Sequence, residues 1–141
     1  MKKTLIAKAM VVGLAALLAA AGQGHGMEIG VDVAPRIINV DGKAPSFVVH
    51  TDLAYGLVDP ATVVLNGVPI SRWKMDSLGN FDAIVRLGDI VAELEPGRHN
   101  LFLLEGMTRT EPPEPFWGAE EVLVVEGLAL RVVIGAGEAI E

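Results

Sequence analysis

Thr62-Val63-Val64-Leu65-Asn66-Gly67-Val68-Pro69-Ile70-Ser71-Arg72-Trp73-Lys74-Met75-Asp76-Ser77-Leu78-Gly79-Asn80-Phe81-Asp82-Ala83-Ile84-Val85-Arg86-Leu87 is the stretch that decides the fold class. Three short runs rich in β-branched and aromatic residues, Thr62 to Leu65, Ile70 to Met75 and Phe81 to Leu87, are separated by two clusters of turn residues. Asn66-Gly67 suits the positive φ angles of a tight hairpin, and Asp76, Gly79 and Asn80 can bond to their own backbone. Runs of this kind divided by turns of this kind read as antiparallel β-structure. Trp73, in a strand, is expected to pack into the core.

The same pattern extends upstream. Ile29, Val31 and Val33 alternate with Glu28, Gly30 and Asp32, the period of a strand with one solvated face. Pro35 lacks an amide hydrogen, so the ladder breaks there and the chain steps sideways into a second short edge segment, Arg36 to Val40. Ser46 to Thr51 is the next strand, with Phe47 and Val49 on one face and Val48 and His50 on the other. Asp59-Pro60, with Thr62 two residues on, predicts a turn or one helical turn between sheets.

Downstream, Asp89 is positioned to cap one or two helical turns that end at Pro96-Gly97. Arg98 to Met107 is apolar on both faces and reads as a central strand. Thr108 to Trp117 carries Pro112, Pro113 and Pro115 and reads as the longest irregular segment. Ala119 to Glu126 is a further strand, and Leu128 to Ile134 is suited to one more. Strands about every 8 to 12 residues with turns between them favour a sandwich over βαβ units. The expected fold is an all-β, immunoglobulin-like antiparallel β-sandwich of seven to nine strands, preceded by a cleavable signal helix.

Lys2 and Lys3 followed by an apolar run from Leu5 to Ala21 are the marks of a signal peptide, with the cut placed after Ala21. Lys8 leaves a charge-free span shorter than the ~20 residues a membrane-crossing helix needs. The expected divisions are 1–21 as signal, 22–27 as a flexible lead-in, 28–134 as the sandwich and 135–141 as a polar tail. Removing 21 of 141 residues leaves 120, one domain's worth. Three of the 11 Lys and Arg residues leave with the signal and none of the 18 Asp and Glu residues does, so the mature charge falls from −7 to −10. Such a surface disfavours nucleic acid and anionic membranes and tolerates cations and basic partners. The chain has no cysteine, which excludes disulfides, thiol chemistry and a lipoprotein anchor, and places the burden of stability on packing.

Val31-Asp32-Val33-Ala34-Pro35, Tyr55, Asp59 to Gly67 with its Thr62-Val63-Val64-Leu65-Asn66-Gly67 core, and Phe116-Trp117-Gly118-Ala119-Glu120-Glu121-Val122 together resemble bacterial and archaeal exported immunoglobulin-like modules. The resemblance covers Ile29 to Glu126 and implies an extracytoplasmic, non-catalytic sandwich with a binding, adhesive or scaffolding role in the cell envelope. In such modules an Asp-rich calcium loop often precedes the strand corresponding to Phe81 to Leu87. Here the matching positions are Asp76, Leu78, Asn80 and Asp82, and Leu78 removes one oxygen donor. Asp76, Asn80 and Asp82 are therefore the calcium candidates, with an ordinary Asp-Gly-Asn turn as the alternative.

A different class of function is a periplasmic copper carrier, for which His25-Gly26-Met27 supplies His25 and Met27 as ligands, set against a plain linker role. A third reading places Tyr55, Phe116 and Trp117 on end loops, where aromatics grip a protein or glycan partner; the alternative is that Phe116 and Trp117 close the core. Catalysis is not expected. His25, His50 and His99 stand in none of the metalloprotease, nucleophile-elbow or phosphate-loop motifs, and the Glu93/Glu95 and Glu120/Glu121 pairs suit a solvated face.

Overall fold

The alternation read from the sequence is expressed as two packed sheets in the computed structural model, which describes residues 26–127. Ten strands are formed: β1 Met27–Glu28, β2 Val31–Ala34, β3 Ile37–Asn39, β4 Ser46–Ala54, β5 Val58–Leu65, β6 Val68–Pro69, β7 Arg72–Met75, β8 Asn80–Arg86, β9 Arg98–Thr108 and β10 Pro115–Val125. One sheet runs β1-β10-β9-β5-β6, with β3 also on β10, and the other runs β2-β4-β8-β7. The count exceeds seven to nine because β1 and β6 are two-residue strands. The proposed signal at 1–21, His25 and the proposed strand Leu128 to Ile134 lie outside the described residues.

The inner faces interdigitate as alternation requires. Phe47, Val49, Phe81 and Val85 from one sheet meet Val63, Leu65, Phe102, Leu104, Phe116 and Val122 from the other. Phe47 and Phe102 cross the midplane with ring centroids 5.7 Å apart at a 55° tilt, an arrangement their quadrupoles favour.

Asn66-Gly67 forms the expected hairpin. Leu65 pairs with Val68, and both turn residues have positive φ, 50° and 82°. Pro35 also marks a crossing point: β2 pairs with β4 in one sheet, and β3 two residues later pairs with β10 in the other. The ladder is not wholly antiparallel. β1 and β3 both run parallel to β10, which is possible because nearly the entire domain intervenes between them and their partner.

Other local expectations shift. Asp59-Pro60 is not a turn but the start of β5, where the register slips against β9 between Asp59 and Val64. The Asp59 side chain accepts from the Ala61 amide at 3.3 Å and its carbonyl accepts from the Thr62 hydroxyl at 2.7 Å, so local side-chain bonding produced a bulge. A single 3₁₀ turn sits just before it, at Tyr55–Leu57. The rim helix is α1, Leu87–Ile90, continued by a 3₁₀ turn at Val91–Glu93. Asp89 lies inside its first turn instead of capping it; Arg86 holds the N-cap position with no side-chain bond.

Arg98 to Thr108 is central, flanked by β5 and β10. The irregular segment after it is shorter than expected, residues 109–114, because Pro115 opens β10, where a missing amide hydrogen costs the ladder least. Phe116 and Trp117 are thus strand residues.

Candidate functional site

The outer face of the four-stranded sheet carries a row of polar side chains across all its strands. Asp32 of β2 pairs with His50 of β4, His50 with Asp82 of β8, and Asp82 with Lys74 of β7. Directly paired residues share a face, so the four side chains stand side by side. Asp82 is the anomaly in this row. It follows Phe81 and precedes Ala83-Ile84-Val85, and although it belongs to the outer face it is only 1% exposed.

His50 Nδ1 lies 3.0 Å from Asp82 Oδ1. Asp82 Oδ2 is buried and has no hydrogen-bond partner. A carboxylate oxygen withdrawn from water without compensation is costly, by roughly 1–3 kcal/mol or more when charged. Lys74 does not form an ion pair with it; the ion pairs among the described residues are Asp32–Arg36, His50–Asp82 and Glu95–Arg98.

The β7–β8 turn brings a third group to the same place. Asp76 Oδ1 accepts from the Leu78 and Asn80 amides, each at 2.8 Å, and the turn is closed by Gly79 N–H donating to the Asp76 carbonyl at 3.0 Å. Gly79 has φ +87°, which few other residues tolerate. Both bonds to the Asp76 side chain fall on Oδ1, so its orientation is set while its second oxygen is outside the pattern. One ligand-capable atom from each of His50, Asp76 and Asp82 lies within 4.8 Å of the others. His50 and Asp76, with Asp52, Leu78 and Asn80, line an open cleft of about 500 Å³ at the hairpin end of the sheet.

Of the calcium candidates, Asp76 and Asp82 are brought together and Asn80 lines the same cleft. His50 is the member that local sequence reading did not supply, because 32 residues separate it from Asp82. The signal that reveals it is an acid embedded in an apolar strand, which demands a partner. Other carboxylates nearby are committed to backbone: Asp52 Oδ1 accepts from Gly30 N–H at 2.9 Å, and Glu120 Oε1 from Val33 N–H at 2.7 Å.

The remaining candidates are dispersed. Met27, in β1, packs against the core. Phe116 is 2% exposed and belongs to the core, since it enters β10 on the inward face, so it is not available to grip a partner. Tyr55 is half-buried and stacks on Phe81 at 6.2 Å. Trp117 is half-buried on the outer face of the larger sheet, beside Glu105 and Glu28. Burial raises the Glu105 carboxyl above its ordinary range. Trp73 is not a core residue: β7 is an edge strand, and the indole remains 41% exposed.

No family model matches the chain. No curated protein matches it either. Among solved structures it is similar to one described as "Structural insight into host cell surface retention of a 1.5-MDa bacterial ice-binding adhesin", with 18% identity and a TM-score of 0.45 over 72% of this chain. The chain spans 32% of the length of that structure's chain, and surface retention is a property of that adhesin. The two-sheet architecture of the described residues is that of a β-sandwich module. Among the described residues no helix is long and apolar enough to cross a membrane.

Proposed function

We propose that this chain is an exported, non-catalytic β-sandwich module that binds a protein partner in the cell envelope through β7 and the β7–β8 hairpin. The observation that carries this reading is the concentration of exposed apolar side chains there: Trp73 at 41%, Met75 at 59% and Leu78 at 83%, within six residues. All four residues of β7 are exposed, and among the described residues the strand is an edge of its sheet, with β8 as its one strand neighbour. A free edge offers unpaired backbone donors and acceptors, and alternate apolar side chains give an added strand something to bury. Arg72 and Lys74 on the other face favour an extended segment with acidic side chains. The leader read at residues 1–21 supports export. The lack of recognised nucleophile, metalloprotease and phosphate-loop motifs supports a binding role over catalysis.

A photo-crosslinking residue at position 78, introduced into the full chain in its producing cell, tests this. A discrete adduct is expected, and it should disappear in a Trp73→Ala, Met75→Asp variant whose unfolding midpoint is unchanged. An adduct that persists in that folded variant would reject the hairpin as the binding surface.

A further inference from the structure

Asp82 poses a question that the binding edge does not answer. Among Phe81, Ala83, Ile84 and Val85 in the middle of β8 stands one carboxylate that is 1% exposed, and one of its oxygens has no hydrogen-bond partner. The neighbouring cation, Lys74, makes no ion pair with it, and Asp32 is paired with Arg36 at 3.6 Å. His50 satisfies only Oδ1. Half-satisfied buried charges are unfavourable unless something completes them. The groups that converge on this carboxylate are a second carboxylate, held in place by two backbone amides, and an imidazole.

We infer that His50, Asp76 and Asp82 hold a divalent transition-metal ion, with zinc the best match, at the base of the β7–β8 hairpin. One imidazole nitrogen and two carboxylate oxygens are a mixed nitrogen and oxygen set suited to Zn²⁺ and its neighbours. Calcium instead takes about six to eight oxygens and makes little use of an imidazole. Three protein ligands leave a fourth tetrahedral position for water, which the open cleft admits. Two carboxylates balance the +2 charge, and an ion on the Asp82 carboxylate offsets the cost of burying it.

The geometry is close to what the ion requires. Ligand atoms bound at ~2.0–2.1 Å in a tetrahedron lie about 3.3 Å from one another. The three here are within 4.8 Å, so closure by at most about 1.5 Å suffices. The hydrogen bonds from Leu78 and Asn80 to Asp76 Oδ1 act as the outer support that orients a ligand. Binding would tie β4 and β8 to the hairpin turn. This inference does not depend on the hairpin being a binding surface.

The test uses the full mature chain, stripped of metal, with Zn²⁺, Mn²⁺ and Ca²⁺ added separately. Titration calorimetry should give one zinc per chain. Zinc at a hundredfold excess over Kd should raise the thermal midpoint by about 10 °C or more, because it binds only the folded state. His50→Gln and Asp76→Asn, both at partly exposed positions, should each weaken zinc at least tenfold, and the His50 ring resonances should shift on zinc addition. Asp82→Asn should do the same if it folds; the other two variants decide the matter if it does not. Zinc binding of unchanged strength in both His50→Gln and Asp76→Asn would overturn the inference, as would no zinc binding, or a shift produced by calcium and not by zinc.

Discussion

Asn66 offers a quantitative test of the hairpin that anchors the fold. Its backbone sits at φ 50°, where a residue with a Cβ pays about 1–2 kcal/mol unless its side chain bonds locally. Its side chain also continues the β5–β9 ladder beyond the last paired residue. Leu103 N–H donates to Asn66 Oδ1 at 2.8 Å, Asn66 Nδ2 donates to the Leu101 carbonyl at 3.2 Å, and Asn66 N–H donates to the Leu103 carbonyl at 2.9 Å. Leu103 is 3% exposed, so losing its acceptor strands a shielded amide at about 1–3 kcal/mol. Asn66→Ala loses both the acceptor and the tolerance of positive φ, and is expected to cost about 2–5 kcal/mol in total. Asn66→Gly restores the backbone tolerance and should recover roughly 1 kcal/mol of that. Asn66→Asp keeps an acceptor for Leu103 and should cost less than about 1 kcal/mol. Urea unfolding with an unchanged m-value measures all three. Glycine as damaging as alanine would refute the φ argument, and aspartate as damaging as alanine would refute the ladder argument.

Gly118 tests the seam between the sheets. A Cβ there would lie 2.6 Å from Val31 Cγ1 and 2.7 Å from the Ile29 carbonyl oxygen, so Gly118→Ala should destabilise by about 1–3 kcal/mol; an effect below about 0.5 kcal/mol in urea would show that the Ile29–Val31 segment yields freely. Glu105 tests the outer face beside Trp117. Its folded-state pKa is raised from 4.5 by desolvation, so the stability tied to its proton is complete below pH 4.5 and is lost as pH rises through the folded value. Glu105→Gln should therefore be more stable than the parent at pH 7, with the gain shrinking to nothing well below pH 4.5. A gain independent of pH would point to a cause other than ionisation.

The features most legible in the sequence were those that act locally. Asn66-Gly67 needs only two residues to specify a hairpin, and Pro35 only one to interrupt a ladder. Ser46 to Thr51 displayed its faces by alternation, and Phe47 and Val49 did turn inward. What failed depended on neighbours distant in the chain. Trp73 occupies an inward position by alternation, yet its strand lies at the edge of the sheet, where the opposing sheet covers it incompletely. Phe116 and Trp117 follow three prolines, and the strand character of β10 outweighed that local signal from Pro115 onward. The candidate site shows the same division. Asp76 and Asp82 were visible as a spaced pair in one loop, whereas His50 joins them only through the register of β4 on β8, which no local pattern encodes.

The parallel pairing of β1 and β3 with β10 gives the module a direction of mechanical strength. The chain enters through β1 and leaves after β10, so a pull on the flanking residues slides these strands along one another rather than peeling them apart. The Ile29–Trp117 and Val40–Val125 backbone bonds, at 2.8 and 2.9 Å, bracket the two parallel contacts near opposite ends of β10. Under tension these bonds and the β3 ladder between Ile37 and Asn39 carry the load together, whereas a hairpin pulled from its open end yields one bond at a time. An element that looks like a minor strap on the sandwich is the clasp that resists stretching along the chain.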